Sequence, residues 1–219
     1  MFLCRLLLDP KHAHVRRDLA DPYEMHCSLA RAVAAHASQA PPRFLWRQET
    51  VSQDSAVLLV QSPVSPQWSR LAGVMDHAEK LFDPAEVLRE GRICRFRLRA
   101  NPTVTSGGKR RGLHVGREQA AWLFRQGERL GFAVRRCVRM ESDVLSMRQR
   151  KASSNRIVIQ TVGFEGILEV TDPKLAACAL ANGLGHAKAF GLGLLSLARI
   201  GKSTPDNPRE FCAIPRARG

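Results

Sequence analysis

No stretch of this 219-residue chain approaches the roughly 20 consecutive apolar residues that a bilayer-crossing helix needs, which excludes a helical membrane protein. The apolar opening MFLCRLLLDP carries Arg5 and Asp9 and lacks a basic leader and a small-residue cleavage site, so it reads as a buried strand, not a signal peptide. Paired cysteines are missing as well. Cys4, Cys27, Cys94, Cys137, Cys178 and Cys212 form no C-x-x-C, which argues against a zinc knuckle or a disulfide framework and fits a reducing cytoplasm. The acids are dispersed and no H-E-x-x-H occurs, so the seven histidines point to no metal site, and no cofactor is expected.

Acids are also scarce. The chain has 20 Asp and Glu against 34 Lys and Arg, a formal charge of +14, and a pI near 10.5. Such an excess suits a polyanionic partner, with nucleic acid ahead of anionic lipid. It is also clustered. Residues 92–111 hold Arg92, Arg95, Arg97, Arg99, Lys109, Arg110 and Arg111 without one acid. Arg135, Arg136, Arg139, Arg148, Arg150, Lys151 and Arg156 add more cations than a solvated edge strand needs, and together they suit the phosphates of duplex RNA.

Periodicity predicts the sequence of elements strand, helix, strand, strand, helix, strand twice over. MFLCRLLL (1–8) reads as a strand and DPYEMHCSLARAVAAHA (21–37) as a helix, with Asp21 as N-cap, Pro22 at the first helical position and Glu24 at N3. Strands at 44–49 and 56–62, a short helix near Gln67–Leu71 and a strand near Asp76–Lys80 follow. The second round comprises a half-buried basic strand ICRFRLRAN (93–101), a helix at 117–131, strands at 132–140 and 156–170, a helix at 172–183 and a strand at 193–200. The fold class expected is therefore α+β: tandem ferredoxin-like βαββαβ domains, each an antiparallel sheet with helices on one face. Their expected limits are 1–80 and 92–200, with a linker at 81–91 and a flexible tail at 201–219.

Two groups of residues could carry chemistry. Tyr23 and His26 lie three apart on the first helix, while Met25, Leu29 and Val33 take its core stripe, so the pair is turned towards the edge of that stripe. An imidazole beside a phenol can exchange protons near neutrality, although such helical pairs are often purely structural. The segment GLGHAKAFGLG sets Gly183, Gly185, Gly191 and Gly193 around Lys188, either as a phosphate-approaching loop or as a packed turn. Its spacing matches neither a Walker motif nor a dinucleotide fingerprint.

Taken in order, DPYEMH (21–26), FRLRANP (96–102), IQTVGFEGILEV (159–170) and GLGHAKAFGLGLLSLA (183–198) resemble the CasE family, the CRISPR repeat endoribonucleases of type I-E systems, over about residues 1 to 199. The resemblance implies a protein that grips the CRISPR repeat hairpin on a basic face and cuts precursor CRISPR RNA at the 3′ base of the stem. It also implies that the protein keeps the processed crRNA as a subunit of Cascade alongside the other subunits. The matching catalytic positions are His26 and Tyr23. Some relatives place a lysine five residues after the histidine; Arg31 stands there here and suits phosphate stabilisation better than proton transfer. His186 stands where relatives carry proline. The chemistry then follows from RNA itself, whose 2′-hydroxyl attacks the adjacent phosphate, so the reaction needs no metal. The rival reading is a non-catalytic RNA-binding subunit of the same architecture. A metal-dependent nuclease ranks last, because its carboxylates are not clustered.

Overall fold

An Asp-Pro pair opens a helix in each half of the chain, and the two halves are built on one plan. The computed structural model describes residues 1–36, 39–148 and 156–200. Arg150, Lys151 and the expected tail lie outside the described residues, as do the side chains of Arg148 and Arg156. The chain divides into two compact units, one formed by Met1–Asp83 with Lys188–Gly191, the other by Pro84–Ala187 with the strand that follows Leu192.

In the first unit the elements are β1 (Phe2–Leu8), α1 (Ala13–Ala20), α2 (Pro22–Val33), β2 (Leu45–Val51), β3 (Ala56–Ser62), a 3-10 turn at Trp68–Arg70 and β4 (Val74–Leu81). All strand pairings are antiparallel, in the order β2-β3-β1-β4. Alternation in β1 sends Cys4, Leu6 and Leu8 to the core, where they meet Met25, Leu29 and Val33 of α2 and Leu58 and Val60 of β3. Each fully buried leucine contributes about 1.5–3 kcal/mol. Asp21 caps α2 by accepting from the Tyr23 amide at 2.9 Å, with Pro22 at the first helical position. At the other end, the Arg70 guanidinium donates to the carbonyl of Ala34 at 2.7 Å and closes α2.

Two features differ from the expected βαββαβ pattern in this unit. Helix α1 was not anticipated: its buried residues are Val15 and a charged one, Asp18, so no apolar period announces it. The second helix of the pattern shrinks to the 3-10 turn, whose Trp68 alone enters the core.

The second unit runs α3 (Pro84–Val87), β5 (Ile93–Ala100), β6 (Thr103–Ser106), β7 (Lys109–Gly112), α4 (Gly116–Arg129), β8 (Phe132–Arg148), β9 (Arg156–Val170), α5 (Pro173–Asn182) and β10 (Leu195–Arg199). Its main sheet is antiparallel with the order β10-β5-β9-β8, the same ferredoxin-like arrangement as the first. Cys94, Phe96, Leu98 and Ala100 of β5 enter a separate core with Trp122, Leu123, Phe164, Leu168 and Leu180. Leu88, in the segment read as linker, also joins that core. Strand β8 continues past residue 140, with two register shifts against β9. The basic segment after β5 is a hairpin, β6–β7, whose Gly107 and Gly108 at φ +56° and +72° supply the left-handed pair a two-residue turn demands.

Candidate functional site

His26 projects from α2 into an open pocket of about 280 Å³ in the first unit, lined by Pro41, Pro42, Arg43, Phe44, Lys188 and Ala189. Three pieces of chain supply it: α2, the stretch before β2, and the 3-10 turn Lys188–Phe190. The core stripe of Met25, Leu29 and Val33 is buried, and this leaves His26 at the margin of the helix with its ring half-buried. The imidazole stacks on Phe44 at 4.9 Å between centroids and 12° between planes. Its Nδ1 is buried with no hydrogen-bond partner in the protein. Burial holds the His26 pKa below its ordinary 6.5, so at neutral pH the ring is uncharged and can accept a proton.

The pocket is cationic. Arg43 and Lys188 line it, and among the described residues no acid does. Burial, and next the Arg43 charge, lower the pKa of Lys188 below that of a solvated lysine. The lysine is positioned by its backbone. The Trp46 indole N–H donates to the carbonyl of Ala189 at 3.4 Å, and the Gly191 amide donates to the carbonyl of Lys188 at 3.3 Å. Gly191 itself sits at φ +76°, and a Cβ there would come within 2.9 Å of the Trp46 ring, so this turn needs glycine.

The structure sorts the residues expected from sequence. Tyr23 lies one turn before His26 on α2 and is 46% exposed. Arg31 is about 140° round the helix from His26 at 3.6 residues per turn. It donates to the Ser28 hydroxyl at 2.9 Å, which also receives Arg17, so Arg31 belongs to a polar cluster with α1 and does not line the pocket. The cations that do are Lys188, placed in sequence with the glycine-rich segment, and Arg43, which sequence reasoning missed. Phe44 was missed as well. Only the long-range fold brings 41–44 and 188–189 to His26, and no local spacing signals it.

The glycine-rich segment acts through its shape. The amides of Gly183, Gly191 and Gly193 donate to the carbonyls of Ala179, Lys188 and Arg99, while Gly185 packs against Trp122. The first three amides are therefore engaged within the protein, which favours the packed-turn reading over an amide cradle.

In the second unit the outward-facing arginines of β5 meet acids from β9 and β8. Arg97 pairs with Glu165, directly opposite in register, at 2.5 Å, and Arg99 lies 3.6 Å from Asp143. Arg135 pairs with Glu169 at 2.6 Å. Arg95 shares their half-buried face, Arg136 is exposed, and Arg139 reaches Gln119 at 3.4 Å. Lys109, Arg110 and Arg111 are all exposed on β7, in a hairpin whose residues 103–112 include no acid. Among the described residues, no group of three or more His, Cys, Asp or Glu is placed to hold a metal ion, and no helix is long and apolar enough to cross a membrane.

These features define a class: a tandem ferredoxin-like protein with a histidine pocket in one unit and a cationic hairpin in the other. The family model described as CRISPR associated protein matches residues 1–199. The CRISPR-associated endoribonuclease Cse3 of Thermus thermophilus is 39% identical over 216 residues, covering 90% of this chain and all of that protein. The CRISPR system Cascade subunit CasE of Escherichia coli K12 is 30% identical over 197 residues, covering 82% of this chain and 93% of that protein. A solved structure of the endoribonuclease Cse3 bound to a 19-nucleotide RNA superposes with a TM-score of 0.82 at 39% identity, covering 90% of this chain and all of that one. The chain belongs to this CRISPR-associated family, in its CasE-type branch.

Proposed function

We propose that this chain is an endoribonuclease of CRISPR RNA processing: it binds the repeat hairpin, cuts the precursor at the 3′ base of the stem, and stays with the product as a Cascade subunit in the cytoplasm. The observation that carries the reading is the His26 pocket, in which a ring held neutral by burial faces the same space as two cations and no acid among the described residues. An uncharged imidazole is the form that accepts the proton of the ribose 2′-hydroxyl. The 2′-oxygen attacks the adjacent phosphorus, the bond to the 5′-oxygen breaks, and a 2′,3′-cyclic phosphate remains. The nucleophile is internal to the RNA, so the protein supplies alignment, proton movement and charge stabilisation without a metal. Arg43 stabilises the extra charge on the phosphate oxygens, Lys188 shares that pocket, and Tyr23 orients the RNA from the same helix.

Stem phosphates are held by the second unit. Lys109, Arg110 and Arg111 offer cations with no acid in their hairpin, and the exposed Arg136 and Arg139 extend the surface. Because A-form RNA hides base edges in a narrow major groove, such a hairpin reads shape and phosphate spacing.

The test is cleavage of a labelled repeat hairpin by the unaltered protein and by His26→Ala. General acid/base catalysis is worth about 10² to 10⁴ in rate, so the variant should lose cleavage by that factor while retaining RNA affinity. Undiminished cutting by His26→Ala, or no cutting by the unaltered chain, would refute the enzyme reading and leave an RNA-binding subunit.

A further inference from the structure

The reaction has two ends. A proton must leave the 2′-hydroxyl, and another must reach the 5′-oxygen as its bond to phosphorus breaks, because an alkoxide is a poor leaving group. A neutral His26 serves the first end, and in the same step it has no proton to spare for the second unless it shuttles one. Arg43 is unsuited, since a guanidinium does not release its proton in proteins. Tyr23 is exposed one turn before His26 and outside the pocket lining, which suits orienting the RNA at the rim and not reaching the oxygen that leaves.

We propose that Lys188 is the general acid of the cleavage step, giving its ammonium proton to the departing 5′-oxygen while His26 takes the proton of the 2′-hydroxyl. The inference rests on the endoribonuclease reading above and deepens it. The steps balance: the 2′-oxygen–phosphorus bond forms, the phosphorus–5′-oxygen bond breaks, and the products are a 2′,3′-cyclic phosphate and a 5′-hydroxyl. His26 ends as imidazolium and Lys188 as a neutral amine. Exchange with water resets both.

Three observations on the backbone and one on the side chain carry the assignment. Ala187, immediately before the lysine, sits at φ +62°, the single non-glycine residue at positive φ among the described residues. A conformation of this kind costs about 1 kcal/mol or more and persists only where its surroundings enforce it, most often at functional sites. Immediately after the lysine, Ala189 is tied to the indole of Trp46, and Gly191 closes the turn against the same ring. A cation meant only for a solvated surface needs no such fixing, whereas proton transfer to one particular oxygen does. The side chain then faces the same pocket as the imidazole, beside Arg43. Burial and the Arg43 charge both make its proton easier to give up, which suits an acid and weakens a pure counter-ion.

Replacing the leaving 5′-oxygen by sulfur separates the roles, because a thiolate is a far weaker base than an alkoxide and departs without a proton. Repeat hairpins with oxygen or sulfur at the cut site are incubated with the unaltered protein, Lys188→Ala, Lys188→Arg and His26→Ala. On the oxygen substrate both Lys188 variants should be slower by about 10²-fold or more, the arginine failing despite its charge. On the sulfur substrate both should return close to the unaltered rate, while His26→Ala stays slow. Equal losses on the two substrates, or rescue of the oxygen reaction by arginine, would overturn the acid role and leave Lys188 as a phosphate-holding charge. Failure of the unaltered protein to cut either RNA would instead sink the endoribonuclease reading itself. RNA affinity and thermal melting of each variant are measured in parallel; the acid role requires both to stay near those of the unaltered protein, and a rate loss matched by lost affinity overturns it.

Discussion

The cations of the two units stand in opposite settings. On the sheet of the second unit, Arg97, Arg99 and Arg135 each face a carboxylate, from Glu165, Asp143 and Glu169. In the pocket of the first unit, Arg43 and Lys188 share a lining with His26 that includes no acid among the described residues. Abundance of charge therefore says little about where charge acts. The strand that looks most basic in sequence is partly neutralised by its neighbours, and of the two cations beside the imidazole one, Arg43, comes from a segment with no basic cluster at all. Exposed ion pairs such as Arg135–Glu169 are worth about 0–1 kcal/mol, so they change the surface potential more than the stability.

The contrast is broken most sharply by removing one charge from each setting. Arg43→Ala should slow cleavage by about 10²-fold or more, as loss of one transition-state donor does, with the hairpin still bound. Arg135→Ala should leave single-turnover cleavage unchanged; parity between the two variants would erase the distinction. Next in size is the hairpin. Replacing Lys109, Arg110 and Arg111 together by alanine should lower affinity and reduce the slope of log K against log salt by about 2–3, with the rate at saturating protein unaltered. A titration read by fluorescence anisotropy checks this. A smaller effect comes from pH. His26 must be neutral to take a proton and burial keeps its pKa below 6.5, so single-turnover cleavage should be level near neutrality and fall about tenfold per pH unit only below that pKa. A limb displaced above 6.5 would mean that the ring is not desolvated. The smallest change is expected from Glu169→Gln, which releases Arg135: stability by denaturant titration should move by less than about 1 kcal/mol, with slightly tighter RNA binding.

Much of the fold could be read along the chain because its signals are local. Asp21-Pro22 and Asp172-Pro173 each start a helix and cap it as their chemistry requires. The alternation in ICRFRLRA places Phe96 and Leu98 inside and the arginines outside. Helix α1 gave no apolar period, because Asp18 occupies one of its two buried positions. Strand β8 runs past its expected end because it goes on pairing with β9 as far as Arg148 opposite Arg156, and register, not composition, extends it. The site divides in the same way. The edge position of His26 was visible from helix geometry and Lys188 from the glycines around it, while a role for Tyr23 came only with the family resemblance. Arg43 and Phe44 follow a pair of prolines with no periodic signal, and only the tertiary fold brings them to the imidazole. The acids that face β5 were equally hidden, since register, not spacing, sets Glu165 opposite Arg97.

In the proposed reaction the nucleophile belongs to the RNA, and the protein moves its proton. A repeat hairpin with a single 2′-deoxy ribose at the cut site tests this without altering the protein. This RNA should bind as tightly as the unmodified one and stay intact through a time course that consumes the latter. Cleavage of the deoxy substrate at the ordinary rate would contradict it.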